Sequence, residues 1–473
     1  MKWWLELTVV RKIIAIFIAP CARLIEVIGA SIAVRFRPVH ASWKHLPKFR
    51  RHFISNFVIG IVIAVLLHVM HNSSLVSQTE NWAMDSVMLL NQETRRMAMG
   101  ASQNKPLPFT FIDIDEDTYR TWEEPFHIPR DKLLQLIQFA ANGGAKAIIV
   151  DVELAKASDD DADLFAYLQQ YNEKLPPLFL LRSFYPKSQY TNQKDFQVRP
   201  SILDELAAGK NIHWVQPMFK RSAYDQVVRY WHLLAIGCLH DRPVVIPAFQ
   251  LLLDAYLHAS DGLQTITKQL EKLKPQTCAD IEQAENSLSG ELTYAAKKIA
   301  LDRVAHQRIG ERIIYTLPWK KTTTEEFRYR PAYKITESNK PLSNSAVNNR
   351  IVVIGASFSD SRDLYQTPLG EMPGAMIILN AIKSLHLFGQ IAPPPAIAKW
   401  VLELGLIVLM SWAFARFSIF RGTIVAGMVV IITLLPVSFY FFKYGLWVDF
   451  AIPLLGMQFH QFVAEYRESV ATH

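Results

Sequence analysis

Four runs of this chain, 53–70, 396–415, 422–442 and 446–464, each come close to the roughly 20 apolar residues a helix needs to cross a bilayer. A chain built this way must place its polar remainder on one side of a membrane or the other, and the flanking cations decide which. Residues 1–51 carry Lys2, Arg11, Lys12, Arg23, Arg35, Arg37, Lys44, Lys48, Arg50 and Arg51 against Glu6 and Glu26 alone. Such an arm stays on the cytoplasmic face, so the first run exits and residues 71–395 are expected outside. The second run returns to "RFSIFRG", whose Arg416 and Arg421 suit the interior. The third exits to "KYGLW", and the fourth brings the tail 465–473 back inside.

The same arm bears on partners. Ten cations can attract nucleic acid, but here they lie directly before an apolar run, which favours anionic membrane lipid. No nucleic-acid partner is expected. Within residues 1–52, the stretch 12–34 is apolar but broken by Pro20, Arg23 and Glu26. If it spanned, the basic stretch 35–52 would lie outside. It therefore reads as one or two helices on the inner membrane surface. No small-residue cleavage site follows the first run, which reads as an uncleaved anchor.

The outer segment has its own pattern. "PFTFIDIDEDTY" (108–119) is a strand ending in acids. "IPRDKLLQLIQFAANGG" (128–144) is a helix with Pro129 in its first turn and a Gly-Gly stop. "AKAIIVDVE" is a buried strand, which makes a βαβ unit and implies a parallel sheet. "DDDADLFAYLQQY" (159–171) opens on acids that favour the positive end of a helix, and "PLFLLRS" is a further strand. Residues 184–222 read as irregular, 227–256 as two strands and a helix, and 279–309 as one long polar helix. "ERIIYTLPW" reads as a strand and "KKTTTEEFRYRPAYKI" as a basic loop. "RIVVIGASFSDSRDLYQTPLGEMPGAMIILNAIKSL" (350–385) closes the domain as strand, turn and helix, and "APPPA" (392–396) stiffens the entry to the membrane. Cys238 and Cys278 both fall in this segment. An oxidising compartment permits a bond between them, and their separation neither requires nor excludes it.

The acids carry the chemistry. Asp113 and Asp115 alternate at one strand end, Asp151 ends the next strand, and Asp363 follows the last. Ligands of open α/β sheets sit beyond the carboxyl ends of strands, so these four can converge on one crevice, with Arg130 approaching from a helix start. Gathered carboxylates suit Mg²⁺ or Ca²⁺, or they cap helices and pair with Arg130 and Arg362; the metal is left open. "DIDEDT" misses the Asp-x-Asp-x-Thr phosphatase pattern, because Asp117 fills the Thr position. "IGASFSD" has one glycine and no Lys-Ser/Thr pair, so it reads as a structural turn and not a phosphate cradle. No catalysis and no cofactor are expected.

Taken together, "FTFIDIDEDTY", "PFHIPRDKLLQLIQFAANGGAKAIIVDVEL", "DDDADLF", "VVRYWHLLAIGCLHDRPVVIPAFQLLLDAY" and "RIVVIGASFSDSRDLYQTPLGEMPGAMIILNAIKSL" resemble the CHASE type-two family (cyclase/histidine-kinase-associated sensing extracellular) over most of residues 80–390. One span before the domain and three after it fit that family's layout. The resemblance implies an extracytoplasmic sensor coupled to a kinase, cyclase or similar output. The chain departs from the pattern by ending soon after its fourth span. It also carries Met376 and Ile378 where the family often has Glu and His, while Asn380 is kept and joins the candidate ligand set. The expected protein has an α/β extracytoplasmic domain on a four-span helical region of a bacterial inner membrane. It senses in the periplasm and relays to a separate cytoplasmic or membrane partner, and it can form homo-oligomers. The alternative is a non-catalytic scaffold subunit of a membrane complex.

Overall fold

The computed structural model describes residues 46–70, 73–97, 107–186, 196–207, 209–301, 310–321, 323–337, 344–417, 419–442 and 444–471. The surface helices expected within 12–34 lie outside these residues. The chain divides into two units, Met88–Ala392 and a second formed by Met1–Val87 with Pro393–His473. Among the described residues, helix α1 (Lys48–Val69) is the first of the second unit, and a helix over Ser74–Met97 follows it along the chain.

The Met88–Ala392 unit is built on one sheet. Its strands are β1 (Phe109–Ile114), β2 (Ala147–Val150), β3 (Leu178–Leu181), β4 (Ile212–Val215), β5 (Phe327–Pro331) and β6 (Ile351–Ala356), in the order β5-β1-β6-β2-β3-β4. Every neighbouring pair is parallel. β1 and β2 are therefore parallel as the sequence implies, although β6 inserts between them. Helix α2 (Arg130–Asn142) starts after Pro129 and stops at Gly143, and Gly144 takes φ +78°. Its Leu133, Leu136, Ile137 and Ala140 bury against Ile112, Ile114, Ile148, Val150, Val352 and Ile354, with Leu164 of helix α3 (Asp161–Gln169) beside them. The alternate residues Phe109, Phe111, Ile149 and Val353 face the other way. On that side run helices α4 (Phe249–His258) and α5 (Gly374–Phe388), the latter buried from Gly374 to Leu385.

Several segments differ from expectation. Residues 184–222 are not irregular, since β4 extends the main sheet there. Phe184–Pro186 and Phe196–Val198 join Leu234–Leu239 and Arg242–Pro247 in a second, four-stranded sheet. Residues 227–256 hold three strands, with Val228–Trp231 ahead of that hairpin. Among the described residues of 279–309, expected as one long helix, α-helix covers Ile281–Asn286 alone; 302–309 lie outside the described residues. A hairpin, Glu291–Tyr294 with Lys297–Ala300, follows because Gly290 (φ +99°) and Ala295 (φ +49°) turn the chain and alternate residues Leu292, Tyr294 and Ile299 bury. The basic loop contains β5. Residues 313–317 are extended but unpaired by any ladder: Ile314 N–H donates to Ser384 Oγ, and Thr316 and Leu317 N–H both donate to Asn380 Oδ1. Cys238 and Cys278, whose pairing the sequence left open, are joined by a disulfide.

The second unit adds α6 (Ala396–Arg416), α7 (Ile419–Phe442) and α8 (Ala451–Ala471). Close backbone packing joins them. A Cβ on Gly60 would stand 2.9 Å from Ile407, one on Gly422 2.8 Å from Phe414, and one on Gly456 3.5 Å from Leu67. Among the described residues three helices are long and apolar enough to cross a membrane, Lys48–Val69, Ile397–Arg416 and Arg421–Phe442. Their large apolar side chains point outward, among them Val58, Val65, Trp400, Val401, Met428 and Ile432. The fourth run becomes helical only from Ala451, and Gln458, His460 and Gln461 dilute its apolar character.

Candidate functional site

Parallel strands bring their carboxyl ends to one edge of the sheet, and the acids sit there. The β1–β6 register sets Asp113 beside Gly355. On the other side of β6, Ile354 pairs with Val150 and accepts the Asp151 N–H at 2.8 Å, so Asp151 flanks the same glycine. Asp113, Gly355 and Asp151 thus form a row across three strands on the face that α5 covers. A Cβ on Gly355 would lie 2.8 Å from the Ala375 Cβ and 3.5 Å from the Asp151 Cβ. The missing side chain lets the first turn of α5 close onto the sheet. With strands about 4.8 Å apart, the backbones of Asp113 and Asp151 are separated by two such spacings. The four aspartates therefore form two pairs astride the Gly355–Ala375 contact, not one cluster.

The first pair is Asp113 with Asp115. Asp115 caps the short helix Glu116–Thr121: its Oδ1 accepts from Thr118 N–H at 3.0 Å and Thr118 Oγ at 2.7 Å. Its Oδ2 accepts from Tyr329 OH at 2.5 Å and Lys321 Nζ at 3.3 Å. Burial works against ionisation of Asp115, but the Tyr329 and Thr118 donors and the Lys321 charge outweigh it and hold the carboxyl below its usual range. Asp113 is fully buried. Its Oδ2 accepts from Ser357 Oγ at 2.7 Å, and its Oδ1 has no hydrogen-bond partner among the described residues. Burial, with the Asp115 charge adding to it and Ser357 opposing it, pushes Asp113 up to about 7. Two neighbouring carboxyls thus divide into one ionised and one poised to hold a proton at neutral pH.

The second pair is Asp151 with Asp363. Asp363 Oδ2 accepts the Gly374 N–H at 3.1 Å, at the start of α5. Burial and the neighbouring Asp363 raise Asp151 well above the carboxylate range, and burial takes Asp363 to about 6. Two buried carboxyls that repel one another favour retention of a proton by the pair.

Two of the residues singled out by sequence lie elsewhere. Arg130 is buried at the start of α2, where its Nε donates to Asp161 Oδ1 at 3.0 Å and its Nη2 to the Lys156 carbonyl at 3.2 Å. It ties α2 to the start of α3 and neutralises none of the four aspartates. Asn380 is wholly buried. Beyond the two N–H groups its Oδ1 accepts, its Nδ2 donates to the carbonyls of Leu317 and Met376, both at 2.9 Å. Met376 and Ile378 are buried beside it. The loop "IGASFSD" spends its Ser359 N–H on Glu116 Oε2 at 3.1 Å. Tyr329 and Lys321 are the residues sequence reasoning missed, hidden in a stretch that reads as a basic loop. The resulting edge offers oxygens of mixed protonation, a tyrosine hydroxyl and one lysine, which suits a cation or a hydrogen-bond donor.

The family model described as "CHASE2 domain" matches residues 59–418. No curated protein and no solved structure matches the chain.

Proposed function

The chain belongs to the CHASE2 domain family, whose members are extracellular sensory domains, and from that premise we propose that it is an inner-membrane sensor of a two-membrane bacterium. Its Met88–Ala392 unit detects a signal in the periplasm, and its membrane helices relay it to a separate protein. The carrying observation is that the match begins inside α1 and ends just past α6, so along the chain it takes in the latter half of one apolar helix before the sheet domain and the whole of another after it. The Cys238–Cys278 disulfide supports an oxidising surrounding for the domain. The four-span reading, with α8 as the last crossing, rests on the charge pattern of the loops. The ligand-facing groups are Asp113, Asp115, Asp151 and Asp363 at the sheet edge, with Arg130 and Asn380 holding the elements that frame them.

A sensor and a scaffold both have a partner, but only a sensor's partner responds to the state of the sheet-edge aspartates. Crosslinking in native membranes followed by copurification is the test, applied to the full chain and to its Asp113→Asn/Asp151→Asn variant. The expected result is a specific partner whose captured amount or modification changes in the variant. Capture unchanged by the substitutions favours the scaffold, and capture of monomer alone defeats both.

A further inference from the structure

Away from the sheet edge, three side chains on α4 and α5 meet at one carboxylate oxygen. Asp254 is fully buried, and its Oδ1 lies 3.1 Å from His258 Nδ1 and 2.9 Å from His386 Nδ1. Asp254 and His258 are one helical turn apart on α4 and so share a face. His386 arrives from the last turn of α5. The two imidazoles stand 4.8 Å apart between centroids, inclined by 57°. His258 Nδ1 also lies 2.9 Å from the Asp254 carbonyl. The opposite oxygen, Oδ2, is held by Tyr294 OH and by Lys297 Nζ at 2.6 Å, both from the 291–300 hairpin. Lys297 also donates to the Leu385 carbonyl at 2.6 Å. The carboxylate is therefore fixed from behind while its front oxygen faces two rings, whose side chains are 31% and 23% exposed.

We propose that Asp254, His258 and His386 bind a divalent transition metal of the zinc class. One donor atom from each residue lies within 4.8 Å of the other two. A tetrahedral zinc with bonds of about 2.0–2.2 Å holds its donors roughly 3.3–3.6 Å apart, so the two oxygen–nitrogen distances, 3.1 and 2.9 Å, need open by only a few tenths of an ångström to admit one. Two imidazoles and a carboxylate form a borderline donor set that suits zinc, and they leave a fourth position open to water. Calcium and magnesium require more oxygens than this set supplies. Tyr294 and Lys297 orient the carboxylate, which sharpens affinity, and they leave Oδ1 to the ion. On binding, each ring presents its Nδ1 lone pair to the ion and carries its proton on Nε2. An ion here clamps α4 to α5, and α5 is the element that leads, through Gly389, to α6. The inference does not depend on the sensing proposal.

The experiment uses the full chain in detergent, treated with chelator and carrying no histidine tag, titrated with zinc alone. The expected result is one tightly bound equivalent that raises the unfolding temperature. His258→Gln and His386→Gln should each weaken binding by roughly 10–100-fold, and the double variant should lose both the binding and the thermal shift. Circular dichroism checks that the variants are folded. Cobalt on the wild-type chain supplies a second readout, a visible absorption band that excess zinc abolishes. No bound zinc on the wild-type chain overturns the site whatever the variants do. Unchanged stoichiometry in a folded double variant overturns it equally, by placing the metal elsewhere.

Discussion

At the residue scale, the most consequential side chain is Asp113. The sequence showed it as an acid at a strand end, and it showed Asp115, Asp151 and Asp363 in the same way. It could not show which would keep a proton, because that depends on burial and on neighbours hundreds of positions away, Tyr329 and Ser357. Those set the sign of a measurable effect. An unfolded aspartate ionises near about pH 4, whereas folded Asp113 does so at about 7. Between these values the folded chain holds a proton that the unfolded chain has released, so the contribution of Asp113 to stability falls as pH rises through that window. Asp113→Asn keeps an oxygen for Ser357 Oγ and cannot ionise. It should stabilise the chain by on the order of 1–3 kcal/mol at about pH 8 and by almost nothing at about pH 4. Thermal unfolding at both pH values measures this. A variant less stable than the wild type at the higher pH would show that Asp113 is ionised and satisfied in the folded chain.

At the element scale, legibility followed the apolar pattern. β1 and β2 were readable as short apolar runs, buried at every position, and α2 because its buried residues repeat at three to four positions. The 291–300 hairpin was missed because alanine, glutamate and lysine dominate its surroundings, and that composition favours helix until Gly290 and Ala295 turn the chain. β5 was missed because it is an edge strand in which Arg328 and Arg330 alternate with Phe327 and Tyr329, so charge concealed the pattern. Residues 313–317 read as a strand from their apolar content, yet beyond Ile313, whose N–H donates to the Arg229 carbonyl, the N–H groups of Ile314, Thr316 and Leu317 are taken by Ser384 and Asn380 of α5. A tertiary partner, invisible in the local sequence, replaced the ladder. Gly355 carries the corresponding prediction for α5. Gly355→Ala would set a Cβ 2.8 Å from that of Ala375, a contact that must shift α5 off the sheet. The cost should be about 1–3 kcal/mol, read as a lower unfolding temperature. Adding Ala375→Gly should recover most of the loss, because it removes the opposing methyl. Failure of that second change to rescue would place the strain in the backbone of β6 and not in its contact with α5.

At the scale of the whole molecule, the proposal depends on which compartment each part occupies, and the chain carries its own reporters. It has three cysteines. Two are joined in the Met88–Ala392 unit, and Cys21 belongs to the basic arm expected in the cytoplasm. A bond between Cys238 and Cys278 closes a loop of forty residues, and such a bond persists in the periplasm but rarely in the cytosol. Cells quenched in acid, denatured and treated with a maleimide-linked polymer should therefore yield chains with one label, on Cys21, before reduction and three after it. A strain lacking periplasmic thiol oxidation should yield three labels from the start and a less stable domain, by about 4 kcal/mol for a loop of this length. Cys238→Ser/Cys278→Ser should give one label under every condition, which assigns the other two. Three labels from a normally oxidising cell would put the sheet, its aspartates and the Asp254 site in the cytosol. The positive-inside reading of the flanking helices, and periplasmic sensing with it, would then fail together.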